Sequence, residues 1–274
     1  MAKEIAKSDP GIPAYLQNYA GPTIKDNFDE SDVVIPMIKL LQGTSPECET
    51  FDDAKPGVFW HTGMDVSLGT EFSFIPCFRK KRYLLIAPME DGQGVLARAD
   101  DFETWDRLGK FEVKFKDMKD KVTWEISDLN VVKSGLDQWG TSIPSDEDSP
   151  PAATLFYDYI VMLPDHPDLS PVALTLTRSK IKKAKKGLND KIALQANSGR
   201  PMQSLIFLAG TTNENNANNQ AFKNVTFRMN GFASEEQFLA AQETGKLFAG
   251  TNYRVKGEET ETDEGHDKAE SKDF

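Results

Sequence analysis

The sequence predicts a β-rich protein of the α+β class with two helices, and three observations support this prediction. Several runs are rich in β-branched or aromatic residues and are bounded by turn residues, as in EFSFIPCF, RYLLIA, ATLFYDYIVML and VALTLTR. Between residues 179 and 195 the apolar positions instead recur every three or four residues, which is typical of a helix. The last 18 residues lack any apolar repeat, which favours a disordered tail.

The N-terminal half of the chain divides into an arm, a strand-rich region and an insertion. Residues 1–30 are rich in Pro, Gly and Asn with little periodicity, so we expect an irregular arm there. The folded domain is expected over residues 31–254. It opens with VVIPMIKLLQG, continues with VFW and EFSFIPCF as a strand pair, and adds RYLLIA as a further strand. We interpret residues 100–151 as an insertion with a short helix near FETWDRLG.

The C-terminal half alternates strands with the two predicted helices. ATLFYDYIVML and VALTLTR are predicted strands, and the helix that follows has one apolar stripe formed by Ile181, Ala184, Leu188 and Ile192. A strand, a polar loop and a second strand come next, as SLIFLAG, TTNENNANNQ and AFKNVTFRMNGF.

The final helix begins at a capping box made by Ser234 and Gln237. Its apolar residues expected to pack are Phe238, Leu239, Leu247 and Phe248. Five or more short strands interrupted by turns fit a partly open barrel of the oligonucleotide-binding (OB) type, with inserted loops and two helices. Residues 255–274 form the predicted disordered acidic tail.

Composition excludes several classes of protein. The chain has 274 residues, 39% of them hydrophobic, and no apolar run approaches the ~20 residues that a membrane span needs. The N-terminus has no apolar segment of a secretory signal, so we expect the protein in the cytoplasm, that of the host cell if a phage encodes it. Cys48 and Cys77 have no metal-site spacing and are expected to be reduced thiols. We therefore predict no metal and no cofactor.

Charge is distributed unevenly along the chain. The net charge is −11, but residues 257–274 hold eight acids against two lysines, a net of −6. Residues 178–191 hold seven cations against Asp190 alone, a net of +6 in 14 residues. A second cluster, RKKR at residues 79–82, contains no acid. A phosphate-binding surface has this character.

The acidic tail ends in Asp273 and Phe274. Solubility does not explain a single aromatic ring at the end of a hydrophilic tail, because exposing the ring gains nothing. A docking peptide explains it, since the ring enters an apolar pocket on a partner while the carboxylates pair with Arg or Lys around it. We therefore expect Asp273 and Phe274 to dock on partner proteins.

This tail resembles the C-termini of phage and bacterial single-stranded DNA-binding proteins. The segments VIPMIKLLQGTSPE and AKPGVFW also resemble a block that recurs in phage-encoded proteins of this general role. The resemblance implies a protein that coats single-stranded DNA (ssDNA) without strong sequence preference during phage DNA replication or recombination. It also implies that the tail recruits replication or recombination proteins and competes with DNA for the binding cleft.

Both basic clusters and nearby aromatic residues are candidate ssDNA contacts, since cations track phosphates and aromatic rings stack bases. The candidates are Arg79, Lys80, Lys81, Arg82, Tyr83, Arg178, Lys180, Lys182, Lys183, Lys185, Lys186, Trp60 and Phe222. Phe78 and Phe227 are further candidate stacking rings. The alternative interpretations are a solvated face of an ordinary helix, a charged hairpin tip between two strands, and aromatic residues of the core.

Motifs of known enzymes are missing from the sequence. It has no GxxxxGK[ST], GxSxG or HExxH motif, so we do not expect an enzyme. His61 and His166 lie in turn contexts. The second hypothesis is a phage virion or assembly protein whose tail and loops serve protein contacts. A third is a DNA-binding protein that modulates a host polymerase or nuclease, and the sequence also leaves a homo-oligomer open.

Overall fold

The computed structural model describes residues 34–116, 118–216 and 219–249, together with the backbone of residues 254–255. The arm predicted for residues 1–30 and the acidic tail beyond residue 255 lie outside the described residues. The strands are β1 Val34–Ile35, β2 Ile38–Leu40, β3 Phe59–His61, β4 Val66–Gly69, β5 Glu71–Ile86, β6 Val95–Ala99, β7 Gly109–Val113, β8 Val122–Ile126, β9 Ala153–Met162, β10 Val172–Thr177, β11 Leu205–Asn215, β12 Ala221–Phe232 and β13 Arg254–Val255.

Helices occupy less of the described chain than strands do. They are α1 Glu47–Thr50, α2 Val131–Ser134, α3 Arg178–Ala184, α4 Asp190–Ala196 and α5 Glu235–Ala249. A π-turn, Lys185–Asn189, joins α3 to α4 without a break. We call α3, the π-turn and α4 together the basic helix. The predicted β-rich α+β class is confirmed by this set of elements.

The largest sheet is antiparallel and open, with strand order β10-β9-β5-β11-β12 and with β6 also paired to β5. The 16 residues of β5 serve two parts of this sheet. Residues 71–74 of β5 pair with β11, while residues 83–86 pair with β6. The smaller sheets are β2-β3-β4, β7-β8 and the parallel pair β1-β13. β5 is thus the strand that connects the two parts of this sheet.

The RKKR cluster does not separate two strands. The sequence predicted EFSFIPCF and RYLLIA as distinct strands, with a charged hairpin tip as one interpretation, but all of these residues belong to β5. The reason is the partner strand, because β9 pairs continuously with residues 78–85 of β5 and holds the cluster within the hydrogen-bonded ladder. Side chains of residues 79–82 therefore alternate between the two faces of the sheet.

The main hydrophobic core lies between this sheet and the basic helix. It joins Phe74 and Phe207 of the sheet, whose stacked ring centroids are 5.8 Å apart, to the apolar stripe of the helix. Ile181, Ala184 and Leu188 are buried there, and Ile192 packs at its margin, as the helical spacing predicted. We call the side of the sheet beneath the basic helix the helix face.

The other face of the sheet is covered by α5. The predicted capping box is confirmed, because Ser234 Oγ accepts from the Gln237 backbone N–H at 3.2 Å and Gln237 Oε1 accepts from the Ser234 N–H at 3.0 Å. Phe248 is buried against Ile160. Leu239 and Leu247, which were also expected to pack, are instead exposed. Only one side of α5 therefore contributes to the core.

Residues 95–153, together with Leu85 and Ala87, build a second hydrophobic cluster around Trp105 and Trp124. The indole N–H of Trp124 donates to the Ser142 carbonyl at 3.0 Å, so this buried polar group is satisfied. The prediction of a short helix near FETWDRLG is wrong, because the structure describes all of these residues and has no helix there. The Asp101 carboxylate there accepts the backbone N–H groups of residues 103 and 104, which stabilises a turn in place of a helix.

Candidate nucleic-acid interface

The alternation of β5 places Arg79 and Lys81 on the helix face and turns Lys80 and Arg82 to the other face. Arg79 and Lys81 both lie over the ring of Tyr157 on β9, at 5.6 Å and 5.3 Å from its centroid. Arg82 instead lies against Phe156, at 5.1 Å from the centroid of that ring. The cluster that is continuous in sequence is therefore divided between two surfaces.

Arg79 joins the sheet to the basic helix. Its Nη1 donates to Oδ1 of Asn189, in the π-turn, at 3.2 Å, and the hydroxyl of Tyr159 donates to the same oxygen. Burial raises the pKa of Tyr159, so its hydroxyl stays protonated and remains a donor at neutral pH. Lys185 and Lys186 belong to the same π-turn as Asn189 and are exposed. Cations from the sheet and from the helix are thereby held on one side of the molecule.

An aromatic group lies beside Lys81 of β5. Tyr83 and Phe102 stack with centroids 5.2 Å apart and ring planes 16° apart. The Lys81 ammonium is 4.9 Å from the Phe102 centroid, so it lies close to both Phe102 and Tyr157. Burial, with a smaller contribution from the negative charge of Asp137, raises the pKa of Tyr83 to about 12. The group therefore combines flat rings with positive charge, and the Tyr83 phenol is not ionised at neutral pH.

Phe102 and Tyr157 were missed by the sequence reasoning. Phe102 has a φ of 71°, a left-handed conformation that is rare for a bulky residue. The only sequence signal for it is an aromatic residue directly after the acidic pair Asp100-Asp101, in a polar turn. Tyr157 lies within a strand of apolar and aromatic residues, where nothing distinguishes it from its neighbours.

The predicted cations of the basic helix take three different positions. Arg178, Lys182, Lys185 and Lys186 are exposed, Lys183 is partly exposed, and Lys180 is buried. Lys183 forms an ion pair with Glu214. Burial acts to raise the pKa of Glu214, but hydrogen bonds from Lys183 and Asn224 outweigh it and lower this pKa. The exposed lysines are consequently the ones that project away from the core.

The structure corrects the expected accessibility of three other candidates. Trp60 is fully buried and contacts Phe51, so its ring has no exposed face on which a base could stack. Arg82 and Lys180 are also buried, and Arg82 pairs with Asp158. Their charges lie inside the protein because β5 and the basic helix turn these positions inward.

The remaining candidates lie apart from the Tyr83–Phe102 stack or outside the residues that the structure describes. Phe222 is partly buried and faces Glu214 in the β11–β12 register. Phe227 packs edge-on against Phe74 in the core, and Phe78 packs beside Phe248 under α5. Lys80 lies on the face opposite Arg79. Asp273 and Phe274, the predicted docking residues, lie outside the described residues.

His61 has a structural environment that explains its burial. Its Nδ1 accepts the Met64 backbone N–H at 3.1 Å, and its Nε2 lies 3.2 Å from the Leu169 carbonyl oxygen. Burial lowers the pKa of this imidazole, which keeps it neutral. Within residues 34–249 as described, three or more His, Cys, Asp or Glu side chains nowhere come together in a group that could hold a metal ion.

Gly187 sets how closely the π-turn approaches the sheet. A Cβ at this position would lie 2.6 Å from the Phe227 carbonyl oxygen, which is closer than real contacts allow. We expect Gly187→Ala to displace the π-turn, lower the free energy of unfolding by about 1–3 kcal/mol and weaken nucleic-acid binding. Thermal melting and an affinity titration measure these effects. The control is Gly43→Ala, where a Cβ meets nothing within 4 Å; equal stability of the two variants contradicts the prediction.

These features define a β-rich α+β protein with a one-sided surface of cations and stacked aromatic rings. Residues 5–254 match a family described as Pam3 phage gp34-like protein, and the chain belongs to this family. The family is a bacteriophage family, in agreement with the phage origin predicted from the sequence. No curated protein and no solved structure matches the chain. None of the helices in the described part of the chain has the length and apolar character needed to cross a membrane.

Proposed function

We propose that the protein binds ssDNA without strong sequence preference during phage DNA replication or recombination. The observation that carries this proposal is the Asn189 link, which joins Arg79 of the sheet to the π-turn that contains Lys185 and Lys186. Such cations neutralise phosphates, and the half-buried rings of Tyr83 and Phe102 lie beside Lys81, which shares β5 and the helix face with Arg79. Bases of a single strand are free to stack on protein rings, whereas those of a duplex are already stacked, so this combination favours ssDNA.

The OB-like architecture is part of the same proposal. Its support is a set of antiparallel strands in an open sheet, one strand of which, β5, carries the cations into the interface. We further propose that binding involves no enzymatic reaction and that the protein acts in the cytoplasm of the host. Replication or recombination proteins are its proposed partners, recruited through Asp273 and Phe274.

A titration of labelled ssDNA and of duplex of the same length, repeated over a range of salt concentrations, tests the proposal. We expect tighter binding to ssDNA, with an affinity that falls as salt rises, because each neutralised phosphate contributes about −0.7 to the logarithmic salt slope. Preference for duplex, or an affinity independent of salt, contradicts the proposal. A protein that ignores ssDNA and co-purifies with phage particles supports the virion or assembly hypothesis.

Deleting residues 257–274 tests the role of the acidic tail. The deletion removes a net charge of −6. A tethered polyanion competes with DNA at a high effective concentration, so we expect ssDNA affinity to rise, most strongly at low salt. Fluorescence anisotropy with labelled ssDNA measures this change. An unchanged affinity at low salt shows that the tail does not compete for the binding surface.

Deleting Phe274 alone separates docking from competition. This variant keeps all eight acids of the tail. We expect its ssDNA affinity to stay near that of the full chain and its association with replication proteins to fall. A pull-down in which the shortened chain retains every partner shows that the terminal ring does not dock.

A further inference from the structure

The ammonium of Lys81 lies over two aromatic rings. Its Nζ is 4.9 Å from the Phe102 centroid and 5.3 Å from the Tyr157 centroid. The Phe102 ring also stacks on Tyr83. Phe102, Lys81 and Tyr83 are each partly exposed, whereas Tyr157 is 4% exposed and packs in the main hydrophobic core. A positive charge thus occupies the space next to one accessible ring and one buried ring.

We propose that this space is a nucleobase-binding slot, which Lys81 fills in the free protein and leaves when ssDNA binds. The inference rests on the proposed function. Stacked aromatic rings prefer centroid separations of about 4.5–7 Å. The Nζ atom lies within that range from both centroids, so a base centred at its position contacts Phe102 and Tyr157 together. The ammonium then moves to the adjoining phosphate.

Lys81 and Arg79 differ in how firmly they are held. Arg79 is tied to the π-turn through Asn189 and stays beside the slot when it fills. Lys81 has a flexible stem and a compact, strongly hydrated charge. Its ring contacts exchange readily for a phosphate contact at a partly exposed site. Lys81 is therefore the side chain that leaves the slot. Arg79 keeps a positive charge beside the slot in the free protein and in the complex with ssDNA.

Backbone strain at Phe102 provides an independent reason to assign it a function. Its φ of 71° lies in the left-handed region, which costs free energy for a bulky side chain. Such strain is retained where the surrounding structure imposes it, and it concentrates at ligand clamps. Glycine adopts this conformation without strain. Phe102→Gly consequently removes the ring and also removes the backbone strain at this position. A loss of binding in this variant is therefore separable from a loss of folding.

Binding of a thymidine oligomer of about 16 nucleotides, compared with an abasic oligomer of the same length, tests the slot. The unmodified protein is expected to prefer the thymidine oligomer by about tenfold or more. Phe102→Gly should lose most of this preference, with melting temperature equal to or above that of the unmodified protein. Phe102→Tyr, which keeps an aromatic ring at this position, should retain the preference for the thymidine oligomer. The control is Leu108→Ala, which removes an exposed apolar side chain nearby in sequence and should leave the preference intact.

Lys81→Ala tests the exchange itself. With the ammonium gone the slot is open, so affinity for the abasic oligomer should fall while the preference for thymidine over abasic DNA rises. If Phe102→Gly keeps the full preference, or Lys81→Ala lowers it, the slot is overturned even though ssDNA binding stands. If the unmodified protein binds neither oligomer, the proposed function fails and the inference fails with it.

Discussion

Replacing Lys81, Lys182, Lys185 and Lys186 together by alanine is expected to lower the affinity for ssDNA by about a hundredfold at low salt. These side chains are exposed or partly exposed and lie off the apolar stripe of the basic helix, so the fold should persist. Because each lost phosphate contact removes about 0.7 from the magnitude of the salt slope, the slope should also become shallower. Binding titrations at several salt concentrations measure both quantities.

The matched control removes the same charge elsewhere on the surface. Lys55, Lys114, Lys133 and Lys246 are exposed, and none of them belongs to the basic helix or to β5. Their joint replacement by alanine changes the net charge equally but should leave the salt slope close to that of the unmodified protein. If the two quadruple variants lose affinity equally, binding responds to overall charge and the proposed interface is wrong.

Periodicity predicted the basic helix and its buried face correctly, because an apolar stripe at three- and four-residue spacing has only one way to face a core. The π-turn in its middle was not predictable from that stripe. It follows from the close approach of Gly187 to the Phe227 carbonyl and from the two hydrogen bonds that Asn189 accepts. These are contacts with β5, β9 and β12, which are distant in sequence.

The sequence showed where the charge is concentrated but not which charges reach the surface. RKKR is a single cluster in the sequence, yet strand alternation sends Arg79 and Arg82 to opposite faces. That division depends on the continuous pairing of β5 with β9. Phe102 joins the site through a turn whose left-handed conformation no propensity predicts for phenylalanine. The proposed interface therefore depends on tertiary contacts that local patterns do not encode.

Asp158→Ala is expected to lower the free energy of unfolding by about 3–5 kcal/mol, a large part of the ~5–15 kcal/mol that holds a native protein together. Arg82 and Asp158 are 3% and 0% exposed and form an ion pair. The Thr175 hydroxyl also donates to Asp158 Oδ1, at 2.8 Å. Removing the carboxylate takes away the buried negative charge that pairs with the Arg82 guanidinium, and loss of one partner of a buried ion pair is strongly destabilising. Urea denaturation followed by circular dichroism measures the loss.

Replacing Arg82, Asp158 and Thr175 together by apolar residues is the control for this destabilisation, and it also decides whether Arg82 contacts DNA. The triple variant Arg82→Met, Asp158→Leu, Thr175→Val leaves none of the three polar side chains behind, so its stability should return to within about 1–2 kcal/mol of the unmodified protein. Because Arg82 is buried, the triple variant should also bind ssDNA with nearly unchanged affinity and salt slope. An Asp158→Ala variant as stable as the unmodified protein contradicts the structural role of the pair. If the triple variant is stable but loses affinity for ssDNA, Arg82 contributes to the binding surface, as the sequence alone had predicted.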